Sequence, residues 1–389
     1  MQFHPESPNV AAPELSRLAF IADLKRHLYL KLGAANRRLY EKRLARPGDA
    51  ALAASAQAAR REEIRADMEK EPYFQGWSSA VRASQDLMWR YVDQTVEANR
   101  ERLESRFATL AEQARGRVET DPDLEIPDYL AAADIHRMPG SYHTDRGPRD
   151  LRAGALYDLG GAVYQLGIGN SQGALLNDTR GQTLVAHLAQ YYPTLAPARI
   201  LDMGCSAGHN TVPVWRAFPD AEVHAIDLGA PMVRYAFLRA EGLGARIHFS
   251  QQNAERTRFP DASFDLVLSQ IVLHETSPAA TRRIFEESFR LLRPGGVVVH
   301  LEVPIRYEHS DVFDQFIRSW EEYYNNEPNI SGAAATDFRA LATEVGFERI
   351  LTGYQSTPGP KAEQQRPEET LSERPKPGRS SWYIVSATR

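Results

Sequence analysis

Residues Ala198 to Gly208 read ARILDMGCSAG, an apolar run that ends in an acid, Asp202, and a turn carrying Gly204 and Gly208. A second acid, Asp227, closes the next apolar run. That order is a nucleotide-cofactor site at the head of a parallel sheet, where glycine lets the backbone approach a ligand closely. The triplet G-x-G-x-x-G is not completed, so a pyrophosphate dinucleotide is disfavoured, and no lysine follows as a triphosphate loop would require. A second group of reactive types lies downstream. His274, in Val272-Leu-His-Glu-Thr276, follows an apolar strand, and an imidazole of ordinary pKa suits a general base. Tyr142 and His143 follow the turn Pro139-Gly-Ser, which could fold over the site as a lid that excludes water. Cys205 stands alone, which forbids an intrachain disulfide and a thiolate metal site; it reads as a small buried residue. His136, His143, His274 and Glu302 lack the helical spacing of a metalloprotease site, and no metal is expected.

The elements that must position these residues alternate. From Ala198 the chain runs ARILDMG, a helix to Phe218, AEVHAIDL, a helix over Pro231 to Glu241, ARIHFSQQN, FDLVLSQIVL, a helix from Pro278 to Leu292, and VVVHLEVP. Short apolar strands separated by amphipathic helices demand right-handed crossovers, hence an α/β doubly wound, mostly parallel sheet. GFERILTGYQ and SSWYIVSAT add an antiparallel edge hairpin, and 356–380 between them reads as a mobile loop. Upstream, Pro13 to about Leu44, 50–70 and Ser79 to about Val118 read as helices, the last long enough to pair with another helix within the chain or across a dimer. Residues 1–120 thus read as a helical cap or dimerisation region, 121–177 as linker and lid, and 178–389 as the catalytic domain with a helical insertion at about 305–330. In that insertion Phe313, Phe316, Trp320, Tyr323 and Tyr324 either line an acceptor pocket or pack on the N-terminal helices.

With 389 residues, 42% of them hydrophobic and 25% charged, the chain can bury a sizeable core. A net charge of −5 offers no basic surplus to neutralise a phosphate backbone, so no nucleic-acid partner is expected. No apolar stretch reaches the roughly 20 residues of a membrane span, and the N-terminus lacks the pattern of a secretory signal, so the expectation is a cytoplasmic protein without a membrane partner.

Four segments in order resemble the class I S-adenosylmethionine-dependent methyltransferases. Asp202-x-Gly204-x-Ser206-x-Gly208 is similar to their first motif with serine for the middle glycine. Asp227 stands where they bind the ribose, Phe259-Pro-Asp-Ala-Ser-Phe-Asp265 is close to F-P-D-x-S-F-D, and Leu291-Leu-Arg-Pro-Gly-Gly296 to L-K-P-G-G. The resemblance spans about Asp178 to Arg389 and implies a seven-stranded Rossmann-like sheet with S-adenosylmethionine as cofactor and S-adenosylhomocysteine as product. It further implies that Asp202, Gly204, Cys205 and Gly208 form the cofactor turn and that Asp227 with Leu228 takes the ribose hydroxyls. Met232, Asn253 and Ala254 would then border the adenine, and Ser269 and Gln270 the amino-acid end. Asn253 replaces the aspartate of many relatives but still offers a carbonyl oxygen.

The expected activity is methylation of a small-molecule acceptor, on oxygen, with His274, Tyr142 and His143 as catalytic candidates and His274, Trp320 and Tyr324 touching the substrate. A thiol or sulfide acceptor is the alternative, since a thiolate is already nucleophilic. A non-catalytic regulatory module that binds the same cofactor is the alternative of another class, and a homodimer through the N-terminal helices is the expected form of any self-association.

Overall fold

The structure is a computed structural model that describes residues 3–49, 52–167, 178–358, 371–375 and 380–389. The β-branched and apolar runs noted above form strands β2 Arg199–Met203, β3 Glu222–Asp227, β4 His248–Gln251, β5 Phe264–Gln270 and β6 Leu292–Glu302, and the closing hairpin forms β7 Glu348–Ser356 and β8 Ser381–Thr388. These are the seven expected strands. An eighth, β1 Arg117–Glu119, joins from the N-terminal region, so the order among the described residues is β1-β4-β3-β2-β5-β6-β8-β7. Pairing is parallel from β1 to β6, while β8 runs antiparallel to both β6 and β7. The chain winds outward from β2 to β4 and then crosses to β5, so the order reverses between β2 and β5. A crevice opens beyond the carboxyl ends of strands at such a point. Most of the loop expected over 356–380 lies outside the described residues.

Upstream of the sheet lie α1 Ala12–Arg26, a π-helical stretch His27–Leu32, α2 Gly33–Arg43, α3 Ala54–Met68, α4 Pro72–Ala98 and α5 Arg100–Gln113. The single helix expected from Ser79 to Val118 is two helices and a strand. It breaks at Asn99, whose amide exchanges hydrogen bonds with the backbone of Asn9 at 2.9 and 3.0 Å. It ends before Gly116, where a Cβ would lie 2.1 Å from the Ile247 carbonyl, so only glycine lets the chain close on the sheet edge. Then follow α6 Asp128–Ala131, α7 Arg152–Gly167, α8 Thr179–Tyr191, α9 Thr211–Ala217, α10 Ala230–Gly242, α11 Pro278–Leu291, α12 Val312–Ser319, α13 Glu321–Tyr324, α14 Ile330–Ala335 and α15 Phe338–Val345.

Helix α10 is buried from Ala230 to Ala240 on every face, which requires a layer on each side. The sheet supplies one; α5 and α7 supply the other, with Phe107 edge-on to Phe237 and a Gly154 Cβ position only 2.3 Å from Tyr235. The N-terminal helices form a third layer over α7. They also hold the insertion: Tyr40 stacks on Phe313 at 4.8 Å, and Trp77 meets Trp320 at 5.0 Å. A buried carboxylate fastens the chain start to the core, with Asp158 taking His4 Nε2 at 2.6 Å, His209 Nε2 at 2.5 Å and the Tyr235 hydroxyl at 2.6 Å. Among the described residues no helix is long and apolar enough to cross a membrane.

Candidate active site

After β2 the backbone enters left-handed conformations at Gly204 (φ +68°), Ser206 (φ 46°) and Gly208 (φ +74°). A Cβ on Gly204 would sit 2.5 Å from Val272 Cγ2, so this glycine is fixed by both conformation and space. The turn closes on itself where Gly208 N donates to Cys205 O at 2.8 Å. Asp227 reaches it from β3: Oδ2 accepts from Ser206 N and Oδ1 from Gly229 N, each at 2.9 Å. Each carboxylate oxygen keeps a second lone pair for a ligand. In front lies a cavity of about 90 Å³ that Gly204, Ser206, Asp227 and Val272 line together with Leu228, Met232, Asn253, Ala254 and Gln270.

Seven of the eleven cofactor-contact residues expected from the resemblance therefore share one cavity. Asp202, Cys205, Gly208 and Ser269 do not line it. Asp202 is buried, Oδ2 accepts from Thr211 Oγ1 at 2.6 Å, and burial pushes its carboxyl up to about 7. Cys205 is buried too, and desolvation raises its thiol well above the ordinary value, the reverse of an activated nucleophile. Ser269 Oγ meets His300 Nδ1 at 2.8 Å in the sheet core. These side chains shape the turn and the strands from beneath. Gln252 and Val272 line the cavity without having been singled out; Gln252 adjoins Asn253, and Val272 lies two residues from both Gln270 and His274.

The lid segment covers the cavity. Tyr129 and Leu130 of α6 close one side, with the Tyr129 hydroxyl on Glu255 at 2.9 Å, and Tyr142 closes another, its carbonyl 2.2 Å from where a Gly229 Cβ would stand. The loop bends through three non-glycine left-handed residues, His136 (φ 53°), Arg137 (φ 59°) and Ser141 (φ 52°). Such residues persist only where surroundings enforce them. Here Gln85 and Trp89 of α4 donate to the His136 carbonyl at 2.8 and 2.7 Å.

Beyond Tyr142, Tyr157 and Ile271 a second cavity of about 340 Å³ opens, and these three residues line both spaces. The N-terminal helices contribute Tyr29 and Trp89, α7 contributes Tyr164, and the insertion contributes Arg318, Glu321 and Glu327. Ile271, just past β5, is held at φ 48° with its N–H on Leu301 O at 2.7 Å. A β-branched residue in that region is strained, and strain of this kind gathers at functional sites.

Of the expected catalytic residues, the structure brings His274 and Tyr142 to this second cavity and leaves His143 lining neither. His143 is half-buried, and desolvation lowers its pKa. Trp320 and Tyr324, expected to touch substrate, line neither cavity: Trp320 is buried with Tyr324 stacked on it at 4.7 Å and Trp77 on its other side. The aromatic stripe serves packing because α12 is the element that α3 and α4 cover.

His274 differs from the free base that the sequence suggests. Its Nδ1 lies 2.7 Å from Glu302 Oε2, and Glu302 Oε1 also accepts from Leu273 N at 2.8 Å. Burial alone would lower the pKa of this imidazole, but the Glu302 charge and hydrogen bond outweigh it and raise it to about 9. Glu275 moves the other way. Burial would raise it, yet His136 at 3.1 Å holds it down at about 2, and its Oε1 also accepts from the Tyr142 hydroxyl at 2.9 Å.

Residues 200–296, from β2 to the turn inside β6, match the family model described as Methyltransferase domain. That segment is similar to methyltransferase domains. The domain is 35% identical over 109 residues to the demethylmenaquinone methyltransferase of Thermus thermophilus, an alignment covering 28% of this chain and 49% of that protein. It is 34% identical over 128 residues to a malonyl-[acyl-carrier protein] O-methyltransferase of Methylococcus capsulatus, covering 32% and 43%. The chain spans about half the length of these curated relatives. Among solved structures, the Haemonchus contortus phosphoethanolamine N-methyltransferase 2 in complex with phosphomonomethylethanolamine and S-adenosylhomocysteine is 20% identical, with 54% of this chain and 52% of that one covered at a TM-score of 0.38. The N-terminal helices and the segment over the cavity lie beyond the matched residues.

Proposed function

We propose that this chain transfers the methyl group of S-adenosylmethionine to an oxygen atom of a small molecule held in the second cavity. The observation that carries this reading is the common wall: Tyr142, Tyr157 and Ile271 border both the cofactor turn and the larger space, so a methyl group presented from one side faces an acceptor on the other. Asp227 accepts the ribose hydroxyls, Met232 and Asn253 flank the adenine, and Gly204 with Gln270 borders the methionyl end.

Methyl transfer from a sulfonium is an in-line displacement with an activated leaving group, so alignment contributes most; effective molarities of about 10⁵–10⁸ M are available from orientation, against about 10²–10⁴-fold from a general base. His274 fits an orienting role better than a basic one. Glu302 holds one ring nitrogen, Nδ1, at 2.7 Å, which fixes the orientation of the ring at the cavity wall. The N-terminal helices act as an intramolecular cap, since Tyr29 and Trp89 complete the cavity wall without a second chain.

Calorimetry with S-adenosylhomocysteine, followed by incubation with S-adenosylmethionine and a panel of phenols, hydroxy acids, thiols and amines under mass-spectrometric detection, tests this reading. Binding with methylated hydroxyl products is the expected result. Products from thiols or amines alone would overturn the oxygen assignment, and binding without turnover on any acceptor would leave a cofactor-binding module.

A further inference from the structure

His136, His274 and Glu327 each place one ligand atom so that all three lie within 4.8 Å of one another, and all three line the 340 Å³ cavity. They come from three separate segments: the strained turn of the lid, the short helical turn Leu273–Glu275 after β5, and the loop after α13. His136 Nδ1 is 3.0 Å from Glu327 Oε1, while Glu275 Oε1 is 3.1 Å from His136 Nε2 and 3.6 Å from His274 Nε2. Donors around an ion with bonds of about 2.1 Å stand roughly 3.0–3.5 Å apart, so the set needs to contract by about 1 Å to close on one.

Three further observations distinguish this group from a chance ion-pair cluster. Glu302 holds His274 by Nδ1 at 2.7 Å, the carboxylate–histidine arrangement that fixes a ligating ring and leaves Nε2 free. Among the described residues the ion-pair partners of Glu275, Glu302 and Glu327 are these two histidines, so no lysine or arginine at ion-pair distance neutralises the three carboxylates. Glu275 Oε2 is buried with no hydrogen-bond partner among the described residues. A divalent cation satisfies all three conditions.

We propose that His136, His274 and Glu327, with Glu275 beside them, bind one divalent first-row transition-metal ion such as Mn²⁺, Fe²⁺, Co²⁺ or Zn²⁺, and that the ion's open positions take an oxygen donor of the acceptor. Two imidazoles and a carboxylate suit these ions, whereas Mg²⁺ and Ca²⁺ favour all-oxygen sites. The assignment rests on the reading of this cavity as the acceptor site and narrows the acceptor to a molecule whose hydroxyl can ligate a metal. On binding, the acceptor hydroxyl gives its proton to bulk water, because a bound cation lowers the pKa of a ligated O–H. The resulting metal-held oxygen forms the O–CH₃ bond as the C–S⁺ bond breaks, and the bonding pair stays on sulfur as the neutral thioether.

Titration of the metal-stripped chain of residues 1–389 with Co²⁺, followed by visible absorption, tests the site. Wild type saturates at one equivalent, and His136→Gln and Glu327→Gln each weaken Co²⁺ binding at least about 10-fold with circular dichroism unchanged. No saturable spectrum in wild type, or unchanged affinity in both variants, overturns the proposal. Paramagnetically shifted ring-proton signals from two histidines in the wild-type Co²⁺ protein are expected as well, and their absence overturns it without recourse to any variant. Calorimetry with S-adenosylhomocysteine on the same metal-free sample separates the two failures: cofactor binding without Co²⁺ binding removes the metal site alone, whereas absent cofactor binding removes the methyltransferase reading on which it rests.

Discussion

Asp227→Ala should weaken cofactor binding far more than it weakens the fold. Both carboxylate oxygens already accept one backbone N–H each, from Ser206 and Gly229 at 2.9 Å, and each has one lone pair left for a ribose hydroxyl. Hydrogen bonds to a charged acceptor contribute about 1.5–3 kcal/mol each, so losing two corresponds to about 10²–10⁴-fold in Kd. The two orphaned N–H groups also loosen the turn, at a cost of about 1–3 kcal/mol to the unliganded protein. Asp227→Asn separates these contributions. It keeps one carbonyl acceptor and places an amide donor opposite the other N–H, so its affinity should fall about 10–100-fold, between wild type and the alanine variant. Isothermal titration with S-adenosylhomocysteine, paired with thermal unfolding of each apo protein, reads both quantities. An alanine variant whose Kd stays within threefold of wild type would show that this carboxylate braces the turn and touches no ligand.

Three further outcomes can be stated briefly. Gly204→Ala forces alanine to φ +68° and drives its Cβ to 2.5 Å from Val272 Cγ2, so stability should drop by about 2–4 kcal/mol in denaturant unfolding; Val272→Ala added to it should restore part of the loss, and strict additivity would refute the contact. Trp320→Ala should destabilise by about 3–5 kcal/mol while leaving S-adenosylhomocysteine affinity within twofold, because Trp320 packs against Trp77 and Tyr324 away from both cavities; a large affinity loss would return it to the site. His300, buried beside Ser269, is held near 3 by desolvation, so the native chain refuses a proton that the unfolded chain accepts below about 6.5. Its contribution to stability therefore falls as pH drops through that window, by about 1.4 kcal/mol per pH unit. The stability gap between wild type and His300→Asn should narrow at that rate between pH 6 and 5, and parallel pH curves would contradict it.

The parts read correctly from the sequence share a physical basis. Strand and helix periods, the glycine turn and the acid ending the second core strand are local patterns, and a doubly wound sheet converts them into a crevice by topology alone. What stayed hidden depends on distant segments meeting. Trp320 and Tyr324 carry the composition of a pocket, but whether an aromatic stripe faces ligand or protein depends on what covers it, and α3 and α4 cover it. His274 looks like a base because nothing near it in sequence announces Glu302, a partner that β6 delivers from 28 residues away. Glu327, in the loop after α13, carries no local signal at all. The helix drawn through Asn99 to Val118 failed for a related reason: the apolar stripe continues, but Asn9 and Ile247, both remote, decide where it stops.

Strand β1 makes the boundary drawn at residue 178 a poor place to cut. Its three residues shield the outer backbone of β4, with Val118 opposite Phe249. A fragment starting at α8 would present that row of amides and carbonyls to other molecules, an invitation to intermolecular strand pairing and aggregation. It would also strip the cover from α10, whose residues from Ala230 to Ala240 are all buried, and wet a greasy surface that the sheet alone cannot hide. Residues 178–389 are thus tied to the leading helices by shared cover as well as by the cavity that both line, and any shortened version should begin ahead of the helices rather than behind them.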